Sequence, residues 1–213
     1  MPVAFNTWNA LLNNFVVERA SFTGVEIGIL QSLREVPGFI AFTTVFVLLL
    51  IREQTFAVVS LAILGAGVAA TGFFPTVYGL YFTTVIMSLG FHYFEAVKQS
   101  LSLQWLSKDE APQVLGRLIS VASITSLVVY GVLWVFLEVF QLDYLWNFLL
   151  AGVLCTGFAV IIWLGYPHFE SKTPQHSHLV LRKRYWLYYA LIFFSGARPV
   201  SYTHLTLPTI LLV

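Results

Sequence analysis

Six apolar runs, separated by short polar links, leave this chain very few ways to fold. Residues 25–51, 55–74, 77–97, 115–137, 144–165 and 185–197 read as five complete spans and the beginning of a sixth, measured against the roughly 20 apolar residues that carry a helix across a bilayer. Hydrocarbon offers a peptide group no hydrogen-bond partner, so such runs become helices or strands of a closed barrel. Runs that are apolar throughout, with no alternation, exclude the barrel. Composition agrees, with 58% hydrophobic residues and a mean hydropathy of +0.82. The expected fold class is all-α, a polytopic helical membrane protein whose first partner is the lipid bilayer.

The links alternate in charge. Arg52 stands in the first, none in the second at Pro75 and Thr76, and Lys98, Lys108 and Arg117 in or beside the third. No base occurs around 141–143, and Lys172, Arg182, Lys183 and Arg184 follow in the fifth. The positive-inside rule assigns the basic links to the cytoplasm and residues 1–23 to the outside, a multi-pass arrangement in a cell membrane. The net charge of +1 is uninformative by itself, and no nucleic-acid partner is expected.

Helix ends are written locally. Thr23 and Glu26 have the spacing of a capping box, which starts a helix at Gly24. Asp143 suits the N-cap before the span at 144, and Pro75 closes the span before it. For the span after Lys108, either Pro112 in a first turn or the Ser107–Glu110 pair three apart can mark the start, and the residues leave this open.

Both termini differ from the rest. Asn6, Asn9 and Asn13 share one face of a helix that carries Trp8, Leu11, Leu12 and Phe15 on its others. Residues 1–20 are expected to be the outer end of a truncated first membrane helix. The alternative, an amphipathic helix on the membrane surface, normally carries Lys and Arg where this one has Asn. Residues 199–213 have no periodicity. Residues 200–209 back-translate as GTC TCT TAT ACA CAT CTG ACG CTG CCG ACG, which resembles the transposase mosaic end and read adapter of a sequencing library. An index across 210–212 would leave GTG for Val213 and a TAG stop. Residues 199–213 are therefore expected to be a non-native, adapter-derived tail.

With residues 23–165 as transmembrane helices two to six, 166–184 as a basic cytoplasmic loop and 185–198 as the start of helix seven, the organisation resembles the amino-terminal half of a major facilitator superfamily transporter. Residues 30–38 (Leu-Gln-Ser-Leu-Arg-Glu-Val-Pro-Gly) look like the second helix of uncharacterised bacterial members, and Ser195-Gly-Ala-Arg198 like the start of their seventh. Arg52-Glu53-Gln54 stands where the superfamily has a Gly and Asp-Arg followed by further bases, so that signature is missing. The resemblance implies an incomplete six-helix amino-terminal bundle and a missing carboxy-terminal six-helix half. It also implies secondary active transport of a small-molecule substrate by alternating access, in a bacterial inner membrane, with the fragment inactive alone.

Ionisable groups inside a span cost about 2.5–3.5 kcal/mol at the bilayer centre and therefore need a reason. Arg34 and Glu35 lie about ten residues into their span, on one helical face with Gln31 and Gly38. Arg34 is a candidate for binding an anionic group and Glu35 for exchanging a proton; a salt bridge that only locks packing is the equal alternative. Ser88, His92, Glu95 and Gln99 form a stripe on the 77–97 span. His92 is the candidate proton carrier, with Glu95 beside it, while Glu95 and Lys98 approach the headgroups. Asn9 and Asn13, with Asn6, would line the same cavity. Gly65 with Ala69, and Ala62 with Ala66 and Ala70, are four-residue small-residue spacings that let helices approach closely. Cys155 is the single cysteine and fills space in mid-span.

No catalytic motif is present: no HExxH, GxSxG, P-loop, CxxC pair or dinucleotide fingerprint. His168, His176 and His178 fall in a Pro-containing linker and read as loop, so no metal and no cofactor is expected. Secondary active transport is the favoured reading, with proton coupling through Glu35 and His92 a further step beyond it. A small membrane scaffold or channel subunit is the alternative, and an intramembrane enzyme built on Ser88 and His92 the weakest. Sequencing the gene is expected to return the ten adapter codons at 200–209; other codons there would remove the tail hypothesis.

Overall fold

The computed structural model describes residues 1–107, 109–165, 183–187, 190 and 191. The three linker histidines, most of the 166–184 loop, most of the 185–198 segment and the tail at 199–213 lie outside the described residues. Seven α-helices run through the described part: α1 (Pro2–Ala20), α2 (Gly24–Ile40), α3 (Thr44–Leu48), α4 (Glu53–Thr71), α5 (Val77–Trp105), α6 (Ala111–Trp134) and α7 (Tyr144–Gly165). No strand occurs among the described residues, and the all-α expectation holds.

Among the described residues three helices are long and apolar enough to cross a membrane: α4, the 29-residue run Ala111–Val139 that α6 begins, and α7. The latter two keep broad apolar faces exposed, as on Ile119, Leu127, Ile161 and Leu164, whereas half of α4 is buried. The chain therefore has the make-up of a membrane protein. Of the five complete spans expected from the sequence, these are three; the partial run at 185–197 lies mostly outside the described residues. The 25–51 run divides into α2, a tight 3-10 turn at Ala41–Thr43 and α3. The 77–97 run is part of a longer helix that gains polar and charged residues towards Trp105.

Local signals set the helix ends. Thr23 accepts from the α2 amides while Glu26 accepts from the Thr23 N–H at 2.9 Å, the reciprocal capping box. The Asp143 carboxylate accepts from the Leu145 N–H at 3.2 Å and opens α7. Pro112 falls in the first turn of α6, while the Ser107 hydroxyl donates to Glu110 at 2.6 Å in the turn before it. Thr76, which the sequence reading did not single out, caps α5 by accepting from the Gly79 N–H. Ser21 and Gln141, at φ 53° and 49°, reverse the chain after α1 and before α7.

Glycine positions decide how the helices assemble. A Cβ on Gly67 would lie 2.6 Å from the Met87 backbone nitrogen of α5, and one on Gly72 would lie 2.8 Å from the Leu145 Cα of α7. Gly90 of α5 sits against the Ser60 and Leu64 backbone, and Gly152 of α7 against Gly65 and Ala69. So α4 is the hub, holding α5 on one side and α7 on the other at backbone contact distance. Gly65 and Ala69 act as the close-approach pair the sequence suggested. Ala66 is exposed, so the Ala62, Ala66, Ala70 spacing is not a single buried seam.

α1 does not lie on the surface. Trp8, Leu12, Phe15 and Val16 are buried where it packs against α4, α5, α6 and α7. Polar ties close both ends of the bundle. At one end Arg19 pairs with Asp143 at 2.7 Å and the Tyr144 hydroxyl donates to Glu18 at 3.0 Å. At the other, Glu53 accepts from Gln104 at 2.7 Å and from Ser100 at 3.1 Å. Replacing Gly152 or Gly90 by Leu is expected to destabilise the bundle by about 1–3 kcal/mol or more, since overpacking cannot be relieved against backbone. Gly157, which has open space around it, should tolerate Ala without loss; detergent-phase thermal unfolding of the three variants measures the contrast.

Candidate functional site

Pro37 shapes the helix that carries the charges. It has no N–H to donate to the Leu33 carbonyl, so α2 loses a rung of its ladder beside Arg34 and Glu35. Beyond it the helix tightens at Ala41–Thr43, where the Thr43 hydroxyl bonds the Ile40 carbonyl at 2.7 Å and meets the Tyr93 hydroxyl of α5 at 2.8 Å. Gly38 lets α5 approach: a Cβ there would stand 3.1 Å from the His92 ring. The Ser88 hydroxyl donates to the Arg34 main-chain carbonyl, a second tie between α2 and α5.

Between α1, α2 and α5 these contacts leave a pocket of about 250 Å³. Asn9 of α1, Arg34 and Glu35 of α2, and Ser88 and His92 of α5 supply its polar wall; Phe5, Met87 and Phe91 complete it. At 1.5 Å per residue Arg34 and His92 lie roughly 15 and 22 Å along their helices from the starts at Gly24 and Val77. Arg34 donates from both Nε and Nη2 to a single Glu35 oxygen, Oε1, at 3.1 and 2.9 Å. Both side chains are mostly withdrawn from solvent, 22% and 12% exposed. Gln31, one turn earlier, has a buried side-chain oxygen with no hydrogen-bond donor among the described residues. Phe5 stacks on Phe91 with ring centres 4.3 Å apart, joining α1 to α5 at the wall.

Tertiary packing thus brings Asn9, Arg34, Glu35 and His92 to one pocket, with Gln31 adjoining on the same helix. Others separate. Asn6 turns towards α6 and donates to Ser126 at 2.7 Å, so it is not a pocket residue. Asn13 is exposed on α1. Glu95 pairs with Lys98 further along α5, both partly exposed and so solvated. The Ser88 proton goes to a backbone carbonyl and not to His92. Phe5, Met87 and Phe91 were missed. Their signal was the spacing Met87, Ser88, Phe91, His92, one face of two turns, which reads as core until a polar neighbour is placed opposite.

A second, apolar crevice of about 220 Å³ opens between α4, α5 and α7, lined by Val58, Leu61, Phe94, Trp105 and Trp163 among others. Among the described residues no group of three or more His, Cys, Asp or Glu side chains is placed to hold a metal ion. Cys155 is buried and its thiol points at the Leu61 carbonyl, 3.7 Å away.

Comparisons with protein-family models, with curated proteins and with solved structures return no match to this chain. The pocket therefore has to be read from its own chemistry. Removing one member of a poorly solvated ion pair strands its partner, so Glu35→Ala is expected to lower stability by about 3–5 kcal/mol. Glu95→Ala, at a partly exposed pair, should change it by less than about 1 kcal/mol; thermal unfolding of both variants in the same detergent tests the difference.

Proposed function

We propose that this chain is part of a secondary active transporter that moves a small solute across a membrane by alternating access. The observation that carries the reading is the Arg34–Glu35 pair, mostly withdrawn from solvent and set with His92 on a pocket between α1, α2 and α5. Charges within a membrane are costly and concentrate where a solute or proton passes. Discontinuous helices are a recurrent way to build such a site, and α2 is interrupted by Pro37 and by the 3-10 turn beyond it.

The amino-terminal half of a major facilitator superfamily transporter fits the sequence resemblance, and a bacterial inner membrane fits the alternation of basic links. On this reading α1 to α7 provide one side of the pathway and a second bundle of about six helices the other. Proton coupling would use Glu35 and His92, the carboxylate and the imidazole on the pocket wall.

The test is uptake into proteoliposomes by the parent protein carrying both halves. Wild type is expected to accumulate its solute in response to an imposed pH gradient, and Glu35→Gln, correctly folded, to lose that response. Gradient-dependent uptake unchanged in Glu35→Gln would remove the proton role. Solute uptake by the 213-residue chain alone would contradict the two-bundle reading.

A further inference from the structure

We propose that the pocket binds a small carboxylate-bearing anion on Arg34, and that this anion and ionised Glu35 compete for the same guanidinium, so that each anion bound brings one proton onto Glu35. The inference rests on the transport reading of the same site and names its substrate class.

Three observations lead there. The first is how Arg34 is occupied. Its Nε and Nη2 form the fork that ordinarily grips a carboxylate, and both donate to one oxygen of the adjacent Glu35. An incoming carboxylate that takes this edge displaces Glu35 from it. The second is charge. Arg34 and Glu35 sum to zero, and the other polar wall residues are Asn9, Ser88 and His92. Adding an anion to an ionised pair would leave a net negative charge in a poorly solvated pocket, which the surroundings disfavour. A proton taken from solution onto Glu35 restores neutrality: the Arg34–Glu35 contact breaks, neutral Glu35 remains, and Arg34 pairs with the anion.

The third is the buried Gln31 oxygen that lacks a donor. Gln31 stands four residues before Glu35, within side-chain reach on a helix. Ionised Glu35 has no proton to give it; protonated Glu35 has one. Glu35 can therefore donate to the orphan acceptor only in the protonated state, which the anion also favours. His92 faces the pair across the Gly38 gap, with Glu95 one turn further along α5 and within electrostatic reach of the imidazole. These two are the further titratable groups facing the pair from α5. The pocket wall on α1 contributes Phe5 and Asn9, neither of which titrates.

The 213-residue chain, purified into lipid nanodiscs, can be titrated with pyruvate by calorimetry in buffers of differing protonation heat, with propionamide as the uncharged control. Wild type is expected to bind pyruvate at about pH 5.5, to bind it about tenfold or more weakly at about pH 8, and to take up one proton per pyruvate at the higher pH. Glu35→Gln should bind equally at both and take up no proton; Arg34→Gln should not bind. Arg34→Lys, which keeps the charge but not the fork, should bind more weakly than wild type, and His92→Asn should keep the pH dependence.

Four results would overturn the proposal: no pyruvate binding by wild type at the lower pH, equal binding of propionamide, unchanged pH dependence in folded Glu35→Gln, or its loss in His92→Asn alone. Proton-linked pyruvate binding without solute uptake by the parent protein would defeat the transport reading and leave this one standing. Uptake indifferent to pyruvate and to Glu35→Gln would do the reverse.

Discussion

Backbone contact at α4 governs the arrangement of the bundle. In lipid the hydrophobic effect gives helices no reason to prefer each other over acyl chains, so association depends on how closely they fit. Gly67 and Gly72 on α4, with Gly90 on α5 and Gly152 on α7, remove the side chains that would hold those helices apart. One face of α4 receives α5 and another receives α7. Each neighbour's position then fixes what it carries: α5 brings Ser88 and His92 to α2, and α7 offers Phe148 to Phe15 of α1 at 5.2 Å between ring centres.

A contrast in packing follows from this hub. Around α4 the helices meet backbone to backbone, whereas α6 leans mainly on α1 and keeps a broad apolar face exposed. Its hydroxyls at Ser120, Ser123, Thr125 and Ser126 all donate to carbonyls one turn back, so the helix satisfies its own polar groups without neighbours. α2 lies between these extremes. It is tied to α5 by single contacts, at Ser88, Tyr93 and the Gly38 gap, and is weakened within by Pro37. The ion pair sits on the helix whose own ladder is least complete.

Much of this was legible in the residues. The helical class followed from apolar runs that lack alternation, and the start of α2 from Thr23 and Glu26, because a capping box is a local bond between groups three residues apart. The Gly65 and Ala69 seam was readable for the same reason, since spacing of four defines a helix face. Where the reading went astray, the deciding partner was distant in sequence. The three asparagines of α1 share a face, yet Asn6 found Ser126 on α6 while Asn9 reached the pocket. The runs at 25–51 and 77–97 do not emerge among the strongly apolar helices, because the first is divided at Ala41–Thr43 and both carry charged residues.

Local chemistry in the chain determined that these segments are helices, where most of them begin, and that charge is placed inside one of them, because capping, proline and hydropathy act over a few residues. Only the tertiary structure decided which of the buried polar groups meet. Arg34 and His92 are 58 positions apart in the numbering, and their apposition depends on glycines elsewhere, on α4, α5 and α7, that set how near the helices can come.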